Sequence, residues 1–152
     1  MDDSFYVYLK LDHDKVSKLF KLYETASSEK NKVEIINMIN KELVAHAISE
    51  EETFYKALLA HRESKKDTLH AENEHEEIKN KLAALLDVNS ADQALDEKVK
   101  ALKKIVEHHV KEEEGKIFKE AKEVLSDEKV YRIKEEMHYL KGKILLENFP
   151  DE

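Results

Sequence analysis

His46-Ala47-Ile48-Ser49-Glu50-Glu51-Glu52-Thr53-Phe54-Tyr55 is answered, 63 residues on, by His109-Val110-Lys111-Glu112-Glu113-Glu114-Gly115-Lys116-Ile117-Phe118. Each stretch reads His-x-x-x-Glu-Glu-x-x, followed by an apolar and an aromatic residue. Upstream of each stands a second histidine between acids, Asp12-His13-Asp14 and Glu74-His75-Glu76. The offset is 62 from His13 to His75 and 63 from both His46 to His109 and Glu50 to Glu113. A His, His, Glu set repeated at one offset describes a pseudo-symmetric site, half of it from each repeat. Such a site is expected to hold metal, most simply a pair of ions.

The residues around these motifs set the fold. Apolar positions recur at three-to-four spacing rather than in alternation, which is the helical period. Gly occurs twice and Pro once in 152 residues, too few turn formers for anything but a helical chain. The periodic stretches run over about 4–26, 29–61, 67–87, 91–124 and 127–148. Ser27-Ser28 offer a cap before Glu29. Arg62 to Asp67 reads as a polar break. Ser90 with Gln93 has the capping-box pattern, and Ser126 precedes Asp127 and Glu128, acids that favour a helix N-terminus. Short connections imply antiparallel neighbours. The expected architecture is all-α: an antiparallel up-down four-helix bundle over 4–124. An additional C-terminal helix at about 127–148 packs outside it or across one end, all in a single domain of 1–152. Gly115 falls inside the fourth helix, where it costs about 1 kcal/mol relative to Ala, and close packing of another element is one explanation.

Helical projection turns the motif residues inward. With about 100° per residue and Ile36 at 0°, the stripe Ile39, Leu43, Ala47, Phe54 and Leu58 lies within about 60° of the reference. His46 and Glu50 fall at about 280° and 320°, inside or beside that stripe. With Val99 at 0°, His109 and Glu113 fall at about 280° and 320° again, beside Leu102, Val106, Ile117 and Val124. His13 lies with Leu9, Val16 and Phe20; His75 lies with Ala71, Ile78, Leu82 and Leu86. A buried carboxylate without a partner costs several kcal/mol, so six inward ionisable groups require compensating charge. Imidazole and carboxylate donors suit iron, manganese, cobalt or zinc. If both carboxylates bridge, each ion has two imidazoles and two oxygens, and an octahedral ion keeps about two positions for water or a small ligand.

Spacing alone carries little weight. With 34 acids and eight histidines in the chain, chance yields about two His-x-x-x-Glu pairs. Four are present: His46/Glu50, His70/Glu74, His108/Glu112 and His109/Glu113. The shared register and inward angle decide. His108 and Glu112 project to about 180° and 220°, toward water. His61 points inward but lies about 16 Å along the axis from Glu50, and His70 and His138 have no counterpart in the repeat. These four histidines are read as structural or solvated. The formal net charge of −8, without a basic stripe, argues against nucleic acid as a partner. No apolar run approaches a membrane span, the acidic N-terminal residues lack signal-peptide regions, and the absence of cysteine excludes disulfides and thiolate metal sites. A cytoplasmic location is expected.

Leu9-Lys10-Leu11-Asp12-His13-Asp14, His46 to Tyr55, Glu74-His75-Glu76 and His108 to Phe118 together resemble the hemerythrin-like HHE cation-binding domain family. Its name records a duplicated His-His-Glu set on a four-helix bundle. The resemblance implies a non-haem di-iron centre. His13, His46, His75 and His109 would be terminal ligands of two iron ions, with Glu50 and Glu113 bridging; other divalent metals suit the same donors. Dioxygen-carrying members have His-x-x-x-His on the third helix. Around His75 those positions are Ala71 and Lys79, so one imidazole is absent and one iron is expected to be more open, with Glu72 as a substitute donor. The implied function is a protein that binds or senses a small ligand such as dioxygen, nitric oxide or peroxide, or that responds to iron. The alternative is a redox enzyme using the same centre for peroxide disproportionation or nitric oxide chemistry. Tyr6, Tyr23 and Glu24 are the candidate acid–base groups for it. A third reading is an interaction module without metal. A ferritin-like di-iron bundle would use Glu-x-x-His on two helices. Glu72/His75 and Glu135/His138 match that spacing, but His13, His46 and His109 would go unused.

Overall fold

In a computed structural model of the chain, the described residues are 3–86 and 93–149. Helix α1 (Ser4–Thr25) leads to α2 (Glu29–Glu50), which runs through a π-helical turn (Glu51–Tyr55) into α3 (Lys56–Leu59). Helix α4 (Arg62–Leu86) follows. Then α5 (Gln93–Glu112) runs through a second π-helical turn (Glu113–Ile117) into α6 (Phe118–Val124), and α7 (Asp127–Asn148) ends the fold. These elements make five rods, with no strand among the described residues. Two expected caps are in place. Ser28 Oγ accepts the Asn31 N–H at 3.1 Å and Ser126 Oγ accepts the Lys129 N–H at 3.1 Å, each satisfying a donor that the first helical turn leaves free. The Ser90 pattern lies outside the described residues.

The polar stretch Arg62 to Asp67 is helix rather than a break. Ser64 and Thr68, four residues apart, are fully buried. Their hydroxyls donate to the carbonyls of Leu58 at 2.6 Å and Ser64 at 2.7 Å, so these small polar side chains are satisfied by backbone and belong to the interior. The reversal takes only Ala60 and His61. At the other end of α4, Leu86 is 43% exposed and Leu85 takes the core position.

The π-helical turns are the larger departure. A constant 100° per residue puts Tyr55 about 100° from Phe54, off the core stripe. The wider turn brings both inward, and it does the same for Ile117 and Phe118; all four are buried. Gly115 sits in the second of these turns, exposed, without a positive φ, and a Cβ built on it meets nothing within 4 Å. Close packing is therefore not its reason.

Buried apolar residues form two clusters. One holds Phe20, Ile39, Leu82 and Leu102; the other holds Phe5, Phe54, Leu58, Ile117 and Met137. Along α1 and α4 the chain passes from the second cluster to the first, and along α2 and α5 it passes back. That alternation is the up-down topology. Between the clusters, at one level on all four rods, lie His13, His46, Glu50, His75, His109 and Glu113, each no more than 8% exposed. Helix α7 packs along α1 and α2, outside the four-rod bundle.

Gly115→Ala is expected to stabilise the fold by about 0.5–1 kcal/mol, since the position is helical, open and free of strain. Urea denaturation measures this; a loss of stability would mean that the π-helical turn itself requires glycine.

Candidate metal centre

Each histidine of the buried layer is held from outside by a carboxylate. His46 Nδ1 pairs with Asp12 Oδ2 at 2.9 Å and His109 Nδ1 with Glu74 Oε1 at 2.8 Å. His75 Nδ1 pairs with Glu51 Oε2 at 2.9 Å and His13 Nδ1 with Glu114 Oε2 at 2.6 Å. An ionised carboxylate only accepts, so each Nδ1–H donates and each Nε2 faces inward. The ring follows the repeat. Asp12 and Glu74 directly precede His13 and His75, and each holds the other histidine of its own half. Glu51 and Glu114 directly follow Glu50 and Glu113, and each holds a histidine of the opposite half. The motif thus encodes both the inward donors and the groups that aim them, and the second set was not singled out from sequence. Its signal was the acid beside each motif residue.

The inward atoms converge. His13, His46, Glu50 and Glu113 bring one donor atom each to within 4.8 Å of one another, and Glu50, His75, His109 and Glu113 do the same. The two groups share both glutamates. The imidazoles pair off within each half, His13 with His46 at 5.2 Å between ring centroids and His75 with His109 at 4.6 Å. Glu50 Oε1 lies 3.4 Å from His46 Nε2 and 3.3 Å from His75 Nε2. Glu113 Oε1 lies 3.2 Å from His13 Nε2, and its Oε2 lies 3.4 Å from His109 Nε2. Yet His13 Nε2, His46 Nε2, both oxygens of Glu50 and Oε1 of Glu113 have no hydrogen-bond partner. Buried polar atoms are almost always satisfied. The unsatisfied atoms fill one donor group and include the carboxylates that the second group shares; two such groups of hard oxygens and imidazole nitrogens fit a pair of cations.

The electrostatics agree. Burial pushes the His46 imidazolium down, but Glu50 and Asp12 overrule it and lift the group to about 10. Burial likewise lowers His109, and Glu113 and Glu74 lift it to about 10. Burial would raise Glu113, but His109 and His13 hold its carboxyl well below the usual range. Burial raises Asp12, and His46 and Lys141 reverse this and hold it at about 2. Protons on His46 and His109 therefore compensate the buried carboxylates wherever no cation does.

One group was missed from sequence. Tyr55 is completely buried, its ring stacked on His75 at 5.0 Å between centroids. Its hydroxyl donates to Glu113 Oε2 and lies 3.4 Å from His75 Nε2 and 3.3 Å from His109 Nε2. Burial, then Glu113 and Glu50, raise its pKa well above 10, so the phenol keeps its proton. Ala71, one of the two positions spaced four residues from His75, lies in the same apolar cluster as Tyr55. Glu72, the expected substitute, is outside both donor groups. Tyr23 instead donates to Asp96 and Glu24 pairs with Lys103, while Tyr6 packs on Phe5, Phe54 and Phe118. Position 118, the counterpart of Tyr55, is Phe118, so only the His75/His109 half gains a phenol. Of the remaining histidines, His61 lies in the turn after α3 and His138 meets the Tyr8 hydroxyl on α7 at 3.3 Å. Glu135 is exposed on that same outer helix, which removes the ferritin-like pairing from the bundle interior.

The fold has a solved counterpart. A Hemerythrin HHE cation binding domain-containing protein from Mycobacterium kansasii superposes with a TM-score of 0.78 over 99% of this chain and 96% of that one, at 22% identity. A protein of Nostoc sp. strain PCC 7120 described as a DNA nickase is 29% identical over 136 residues, 90% of this chain. The chain spans 38% of that relative's length. Residues 4–121 match the family described as Hemerythrin HHE cation binding domain. With the duplicated donors assembled at the level where two sets share their glutamates, the chain belongs to the hemerythrin HHE cation-binding family.

Proposed function

We propose that this chain holds two non-haem iron ions. His13 and His46 bind one, His75 and His109 bind the other, and Glu50 and Glu113 bridge them. The observation that carries this is two buried donor groups with both carboxylates in common, whose shared Glu50 and Glu113 keep oxygens without a hydrogen-bond partner. Two iron ions there would supply open coordination positions and one-electron redox change. The chain supplies the rest. The outer carboxylates fix the imidazoles, the two apolar clusters exclude water, and Tyr55 holds a proton at Glu113.

The ligand is small. Beside the four imidazoles lies a hollow of about 30 Å³, walled by Val16, Leu43, Ile78 and Val106. That is room for about one or two water-sized molecules. Dioxygen, nitric oxide and peroxide fit it. We read the protein as a cytoplasmic binder or sensor of such a ligand, or of iron itself. No helix among the described residues is long and apolar enough to cross a membrane. DNA chemistry is not carried over from the Nostoc relative, most of whose length lies beyond the match, and a net charge of −8 disfavours contact with phosphates.

Tyr55 favours a second reading, a redox enzyme that disproportionates peroxide or transforms nitric oxide. A phenol proton within the donor set is what such chemistry requires.

Protein produced in iron-rich medium is expected to carry two irons per chain by elemental analysis, and Glu113→Gln to lose most of both. Retention of two irons in that variant would mean that the carboxylate does not bridge. pH gives an independent check. In cation-free protein the raised pKa values of His46 and His109 stabilise the fold fully below 6.5, and this stability is lost as pH rises toward about 10. Cation binding needs deprotonated imidazoles, so affinity rises over the same interval. The melting temperature of iron-loaded protein should therefore exceed that of chelator-treated protein by several degrees, the gap widening from pH 6.5 upward. A gap that stays constant contradicts imidazole ligation. In the enzyme reading, Tyr55→Phe lowers peroxide turnover about 100-fold, a typical share for a positioned proton donor, and leaves iron content intact. Unchanged turnover removes Tyr55 from that role.

A further inference from the structure

We propose that the face between α4 and α5 carries a third cation position, at the surface, which takes a divalent transition-metal ion on its way to the buried centre. Its donors are His70, Glu74 and Glu112, from the two remaining His-x-x-x-Glu pairs, His70/Glu74 and His108/Glu112, with His108 beside them. His70 Nε2 lies 3.4 Å from Glu74 Oε2 and 3.5 Å from Glu112 Oε2. His108 Nε2 lies 3.6 Å from Glu74 Oε2 and 3.1 Å from Glu112 Oε1. Donors bound at about 2.1 Å to one tetrahedral ion lie about 3.4 Å from each other, so the spacings of His70 from Glu74 and Glu112 suit a shared ion. Donor atoms of His70, Glu74 and Glu112 all fall within 4.8 Å of one another. Elsewhere on the molecule carboxylates pair with lysine or arginine, as Glu42 of α2 does with Lys15 and Glu128 of α7 with Arg132. The ion pairs of Glu74 and Glu112 are with imidazoles, and imidazole selects transition metals over magnesium or calcium.

The place of this cluster supplies the second observation. A solvent-open cleft of about 290 Å³ is lined by His70, Glu74 and Glu112 and also by His109 and Glu113. Glu113 is fully buried, and its Oε1 has no hydrogen-bond partner. The cleft, whose walls also carry Lys66 and Lys116, thus reaches from the exposed donor set to His109 and Glu113 of the buried layer. Glu74 links them directly. Its Oε1 accepts from His109 Nδ1 at 2.8 Å, and its Oε2 faces His70 and His108. A cation on Oε2 draws on the same carboxylate that aims His109, so occupation of the two positions is coupled. Duplication does not impose the arrangement: the counterparts of His108 and Glu112 in the first repeat are Ala45 and Ser49.

The loading role rests on the buried pair proposed above; the surface position stands on its own donors. The test compares wild type with a His70→Ala/His108→Ala variant, whose altered side chains are 60% and 64% exposed and leave the core untouched. Co²⁺ stoichiometry is read by equilibrium dialysis, and uptake by stopped-flow absorbance. Wild type is expected to hold one weakly bound Co²⁺ beyond the buried pair. The variant is expected to lose that ion and to fill the buried positions about tenfold more slowly, the lower end of what a charged cleft adds to an association rate. Equal stoichiometry and equal uptake in the two proteins overturn the inference and leave the buried pair standing. Loss of the weak ion with unchanged uptake rejects the loading role. A wild type holding one weak ion alone, lost in the variant, supports the surface position and rejects the buried pair.

Discussion

Glu50 and Glu113 each reach a histidine of the other repeat in a layer closed above and below by apolar clusters, and both are fully buried. Two carboxylates in such a place must be neutralised from within, because removing an ion from water costs several kcal/mol even after relaxation. The bundle answers with four imidazoles at the same level, one pair from each repeat. Imidazoles accept either form of compensation. The carboxylates around His13, His46 and His109 draw these three toward the protonated form. In the proposed function the same residues would exchange protons for cations, which would tie occupancy to pH.

Orientation comes from one step further out. Asp12, Glu51, Glu74 and Glu114 each take an Nδ1–H and so turn an Nε2 inward. Lysines steady two of these acids. Lys141 of α7 meets Asp12 Oδ1 at 2.8 Å, and Lys79 meets Glu51 Oε1 at 3.2 Å. The C-terminal helix is thus more than cover for α1 and α2, since it reaches the carboxylate behind His46. Against this near-symmetry stands one exception, Tyr55 opposite Phe118. It places a phenol beside His75 and His109 and none beside His13 and His46.

The bundle and the six inward donors were legible because a repeat fixes register. A side chain that recurs at the same offset and helical angle in two rods has been placed twice. The caps at Ser28 and Ser126 were legible for a local reason, a hydroxyl next to the first free N–H groups. Two things were hidden. Arg62 to Asp67 looks like a loop because polarity reads as exposure. Ser64 and Thr68 instead hide their hydroxyls against backbone carbonyls, which composition does not register. Tyr55 was hidden by assuming constant helical twist. A π-helical turn adds phase that no periodicity count anticipates, and the added phase brings this tyrosine into the layer. The outer acids lay in plain view as neighbours of each motif residue, but in a chain with 34 acids their pairing needed coordinates.

Anomalous diffraction at the iron edge, from crystals of iron-loaded protein, tests the central claim most directly. Two peaks are expected in the buried layer, one beside His13 and His46 and one beside His75 and His109, with Glu50 and Glu113 reaching both. No peak in that layer, with the four imidazoles bonded only to their neighbouring carboxylates, would contradict it.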